Sequence, residues 1–183
     1  RNGLPLILQQ KITEALKNAN ITISVKTDYD NLIEHIEKQP EFWEMLIKND
    51  SDLQTIAPNI NILKNKLQQK DTSTFLKVED AQRRANIVIS LSRTNLSNWF
   101  FEVQNKLAQQ KEQYGYDGLL VIWDEFTDLV SLPIGSKILL DLQEIDEKIM
   151  NKDNNSYFFY ISHPDAFNGL DKEEIKKTQG RYH

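Results

Sequence analysis

The chain has 183 residues, 27% of them charged, and a formal net charge of −5, which allows one sizeable core or one domain plus an appendage. It has no cysteine, and its three histidines, His35, His163 and His183, are scattered without an H-x-x-x-H pair; disulfides and thiolate metal sites are excluded and a zinc site is not expected. The mildly acidic balance argues against a general nucleic-acid clamp. No apolar run approaches the roughly 18 residues that cross a bilayer, so no membrane partner is expected and the cytoplasm is the default compartment. An apolar-rich segment begins almost at Arg1, which is not Met, and suggests a piece of a longer protein.

In chain order, Leu4 to Lys17 spaces Leu4, Leu8, Ile12 and Leu16 as one face of a helix, with Pro5 tolerated in its first turn. Asn18 and Asn20 break that pattern. Ile21, Ile23 and Val25 then alternate with Thr22, Ser24 and Lys26, the signal of a half-buried strand. Asp28 or Asp30 is placed to cap a helix through Glu37. Pro40 suits the first turn of a helix over Glu41 to Lys48, with Phe42, Trp43, Leu46 and Ile47 as its apolar face. Ser51 is the next expected cap, and Pro58 opens or kinks the segment that runs to Gln69. After a polar joint at Lys70 to Ser73, the sequence from Val78 to Gln113 is helix-like, with one doubtful point around Thr94 to Ser97. Trp43, Trp99 and Phe100 are expected in a core, and Arg83 and Arg84 in surface ion pairs with Glu79 and Asp80.

Tyr114-Gly-Tyr-Asp-Gly118 ends the helical stretch and leads into Leu119 to Trp123, apolar throughout. That is the pattern of a strand covered on both faces. A short helix follows Phe126, and Ile138, Leu139, Leu142, Ile145 and Ile149 form the stripe of a second one. Tyr157 to Ile161 is another continuous apolar strand, ending at Ser162-His163-Pro164. Two such strands joined through a helix make a right-handed βαβ unit with parallel strands. The expected fold is therefore helix-rich α/β.

The first of these strands ends on two adjacent carboxylates, Asp124 and Glu125. Ligands of parallel sheets bind at the carboxyl edge, where an aspartate can help hold Mg²⁺ and a glutamate can orient an attacking water, as in a Walker B element. The plainer role is that both acids cap the next helix. Ser162 and His163 would reach the same edge if the strands are parallel; the plainer role there is a His-Pro turn. Arg181, in Gln179-Gly-Arg181, could meet phosphate charge at an exposed turn, or simply be solvated. A Walker A loop, G-x-x-x-x-G-K-[ST], is missing, because none of the six glycines is followed by Lys. In Ile134-Gly135-Ser136-Lys137 the lysine comes one place late, and Val130 stands where the earlier glycine would be.

The ordered set Leu119-Leu-Val-Ile-Trp-Asp-Glu-Phe126, Tyr157-Phe-Phe-Tyr-Ile-Ser-His163 and Gln179-Gly-Arg181 resembles large bacterial P-loop, AAA-like ATPases, above all those of BREX-type phage-defence systems. The resemblance covers residues 118 to 182. It implies a partial P-loop NTPase-like parallel sheet with a large helical insertion: residues 1–27 and 114–183 in the α/β core, and 28–113 as the insertion. It further implies Asp124 as the magnesium-side acid, Glu125 as the water-activating base, and Ser162 or His163 as the sensor that contacts the nucleotide. Arg181 would be a phosphate-facing or intersubunit arginine finger. ATP and Mg²⁺ would be bound by the longer protein rather than tightly by these residues. A homo-oligomer joined through the arginine finger, and DNA or DNA-associated proteins, are the partners implied. Beside that reading stands a non-catalytic, helix-rich protein-interaction module with a structural βαβ layer.

Overall fold

A computed structural model describes residues 3–87, 94–124, 135–150 and 155–161. The described chain falls into two compact units, one over Gly3–Val103 and one from Gln104 onward.

The first unit is helical: α1 (Leu4–Asn18), α2 (Asp28–Lys38), α3 (Pro40–Asn49), α4 (Ser51–Ile56), α5 (Ile60–Gln68), α6 (Thr72–Arg84) and the start of α7 (Leu96–Gln109). The helices predicted from Leu4 and Pro40 are present almost residue for residue. Their apolar stripes converge on one core in which Tyr29, Leu32, Ile36, Trp43, Leu63 and Phe75 are fully buried. The Trp43 indole N–H donates to His35 Nδ1 at 3.0 Å, which gives this half-buried histidine a polar partner at the edge of the core. Tyr29 reaches across the core: its hydroxyl donates to the Leu6 carbonyl at 3.3 Å and pairs with Thr72 Oγ1 at 2.8 Å. Burial pushes its phenol up to about 12.

The caps differ in detail from expectation. Thr27, not Asp28, caps α2: its hydroxyl accepts from Asp30 N–H, and Asp30 returns a bond to Thr27 N–H at 2.8 Å, a reciprocal capping box. Asp28 instead accepts from Thr94 N–H at 2.8 Å. Asp50, not Ser51, caps α4, with Oδ1 accepting from Leu53 N–H at 2.9 Å. The helix-like stretch from Val78 is not one helix: α6 stops at Arg84, and Asn86 takes a left-handed φ of 54°. Asn20 and Lys70 close α1 and α5 in the same way, each at positive φ. After α1 the Ile21 N–H reaches Leu16 O and the Asn20 N–H reaches Lys17 O, the paired bonds of a Schellman closure.

Arg84 also departs from its expected local pair. Its guanidinium donates to both carboxylate oxygens of Asp50 at 2.8 Å and lies 3.4 Å from Asp52; Arg83 takes Asp80. The hydrogen bond from Arg84, ahead of the Leu53 amide, holds the Asp50 carboxyl below its ordinary value in spite of burial. Asp50→Ala is expected to lower the stability of the helical unit by about 2 kcal/mol, the upper end of the range for an N-cap. A depressed carboxyl contributes stability that is present above the unfolded-state pKa, about 3.9, and is lost as pH falls through the folded value. The difference between wild type and Asp50→Ala should therefore shrink below about pH 4. Urea unfolding at neutral and acidic pH measures both; a pH-independent difference would leave the cap without its charged component.

The second unit carries the rest of α7, a short α8 (Lys111–Tyr114), strand β1 (Leu120–Trp123), helix α9 (Gly135–Met150) and strand β2 (Tyr157–Tyr160). Gly115 ends α8 with φ 78°. β1 and β2 are parallel neighbours in register Leu120↔Tyr157 to Trp123↔Tyr160, as the two apolar runs predict. Their entry is tied together: Leu119 N–H donates to Ser156 Oγ at 3.0 Å, Tyr157 N–H to Leu119 O at 2.8 Å, and Asn155 Nδ2 to Asp117 at 2.9 Å. Gly118 lies against the Asn155 carbonyl so closely that a Cβ there would collide with it.

One expectation for this sheet fails. Among the described residues, β1 is not covered on both faces. Parallel partners share a face, so Leu120, Ile122, Tyr157 and Phe159 lie together, and they are 61%, 61%, 56% and 57% exposed. On the other face the Tyr160 hydroxyl lies 3.4 Å from both carboxylate oxygens of Asp146 on α9. Ile138, Leu142 and Ile145 of that helix are buried.

Candidate functional site

Two places in the described structure have site-like features, one in each unit. The first is the carboxyl edge of the small sheet. Ile161 N–H donates to Trp123 O at 2.8 Å, so the parallel pairing runs to the last residue before Asp124. Asp124 then sits in a turn at that edge, exposed to solvent. This is the position at which parallel sheets present ligand-binding groups. Glu125, Ser162, His163 and Arg181 lie outside the described residues, as do residues 126 to 128, whose amides a helix-capping pair would engage.

The second place is an open cleft of about 520 Å³ in the helical unit, between the end of α1, the segment 21–27 and the first turns of α7. Its apolar wall includes Leu16, Ile21, Trp99 and Val103. On its polar side Lys70 Nζ donates to Asp30 Oδ1 at 2.5 Å and to Thr27 Oγ1 at 2.9 Å, and lies 5.6 Å from the centre of the Tyr29 ring. Burial pushes the Asp30 carboxyl up, but the bonds from Lys70 and Thr27 together outweigh it and hold the group below its ordinary value. This ion pair therefore serves the cap of α2 and already has its partners. Sequence reasoning missed it, although Thr27-Asp-Tyr-Asp30 has the spacing of a capping box. Lys70 is contributed from 40 residues away, at a position that local pattern cannot pair.

Among the described residues no cluster of His, Cys, Asp or Glu could hold a metal ion, and no helix is long and apolar enough to cross a membrane. Comparison with family models, with curated proteins and with solved structures finds no match.

Proposed function

We propose that this chain acts as a helix-rich protein-interaction module in which the βαβ layer is a scaffold. The observation that carries the reading is the bare sheet face: Leu120, Ile122, Tyr157 and Phe159, continued by the exposed Ile161. Parallel strands are normally covered on both sides, because their side chains are apolar on both. A contiguous apolar face open to water marks a contact surface. Ile122→Glu and Phe159→Glu should each leave the fold intact, since both side chains are more than half exposed. Each should also abolish binding of an apolar dye and any concentration-dependent association measured by sedimentation. Dye binding and sedimentation that are unmoved by both substitutions would sink the reading.

A second reading has its own support. The strands are parallel, and the pairing delivers Asp124 to the carboxyl edge, as a Walker B aspartate requires. In that reading the chain is part of an ATP-hydrolysing P-loop ATPase of a phage-defence or DNA-processing system. Asp124 would hold Mg²⁺, Glu125 would activate water, and Ser162 or His163 would contact the nucleotide. Arg181 would act at the phosphates or across a subunit boundary, with DNA or DNA-associated proteins as further partners. The phosphate loop would come from outside these residues, so the chain alone would not bind ATP tightly.

A further inference from the structure

The cleft of the helical unit is built on a strand-like segment with an open edge. From Ile21 to Lys26 the side chains alternate between covered and exposed, the period of an extended chain, and the segment is rich in the β-branched residues that suit strands. It nevertheless belongs to no sheet among the described residues. In an extended chain the N–H and C=O of successive residues point to opposite edges, so residues 22 and 24 share one edge and residues 23 and 25 the other. Thr22 and Ser24 are engaged in interactions of their own. Ile23 and Val25 make no backbone hydrogen bond among the described residues, although both are half-buried in the wall of the cleft. Two such residues at i and i+2 match the repeat of a strand partner. A cleft of about 520 Å³ lies in the size range of ligand sites. Lys17, exposed on its rim, has no ion pair among the described residues, whereas Lys70 inside is satisfied by Asp30.

We propose that this edge binds an extended acidic peptide of a partner protein by strand addition along Ile23 and Val25. Main-chain bonds supply the affinity, apolar side chains of the peptide pack beside Leu16, Trp99 and Val103, and a carboxylate answers Lys17. The surface is in the helical unit, so the inference stands independently of the bare sheet face. The probe is an acetylated, amidated peptide of alternating valine and threonine with one central glutamate, titrated into the whole chain. Hydrogen exchange read at single residues should slow at the amides of Ile23 and Val25. The same peptide N-methylated on alternate residues should bind about tenfold more weakly or worse, as expected for losing main-chain bonds. Lys17→Glu should weaken the parent peptide and favour a version with lysine in place of glutamate. Val25→Pro, which removes one edge donor, should weaken binding if its melting curve matches wild type; if that variant fails to fold, the N-methylated peptide and the exchange data decide. Equal binding of the N-methylated peptide, or unchanged exchange at Ile23 and Val25 with saturating peptide, would overturn the proposal.

Discussion

Gly118→Val is expected to destabilise the βαβ unit by about 3 kcal/mol, the cost of forcing a side chain into closed space. The group that a Cβ would meet is the Asn155 backbone, with the Asn155 Cβ close behind, and backbone cannot swing aside as the end of a long side chain could. The two strands would have to separate at their entry. That separation would break the Leu119–Ser156 and Tyr157–Leu119 hydrogen bonds and the Asp117–Asn155 contact together. Ser156 is fully buried, so the Leu119 bond to its hydroxyl would be lost away from water. Gly115→Ala makes the right comparison. A Cβ there meets open space, and the penalty is the left-handed φ of 78° alone, about 1 kcal/mol. Hydrogen exchange at the amides of Leu119 and Tyr157, whose bonds tie the strand entry, would rank the two variants. A Gly118→Val protein as stable as wild type would mean that the strands do not meet as closely as described.

Much of this architecture is legible in the sequence because it rests on local signals. Pro40 and the Phe42–Ile47 face fix α3, and Tyr114-Gly115 ends α8 at a residue that takes positive φ without strain. The parallel pairing of β1 and β2 follows from two continuous apolar runs with an amphipathic helix between them. Their bare face does not follow, because an apolar run reads the same whether its second side is covered by its own chain or by something else. Asp50 and Ser51 are both good caps by type. What selects Asp50 is Arg84, 34 residues away, and no local window contains that bond. The Ile21–Val25 alternation is also correct as to side-chain burial, yet the segment joins no sheet among the described residues, and pairing is a tertiary matter. At the candidate site, Asp124 follows directly on the last paired residue of β1, a position that the parallel pairing alone fixes. Glu125, Ser162, His163 and Arg181 fall outside the described residues.

The change with the largest expected effect on chemistry is Glu125→Gln in the longer protein that the resemblance implies. If Glu125 activates the attacking water, the amide keeps its shape and removes its basicity, and hydrolysis should slow by about 10²–10⁴-fold. Nucleotide affinity should stay the same, since loop amides and a lysine make most phosphate contacts in this class. For the same reason, calorimetric titration of the present chain with Mg-ATP should show weak binding or none, because it has no glycine-lysine phosphate loop. Micromolar binding by the chain alone would reveal a site of another kind. Paired with Phe159→Glu, the experiment separates the two functional readings. A protein that uses the acidic edge for chemistry loses turnover on Glu125→Gln while its associations persist. A module that uses the bare face loses its associations on Phe159→Glu and is indifferent to Glu125→Gln, and normal turnover in that variant would remove Glu125 from the chemistry.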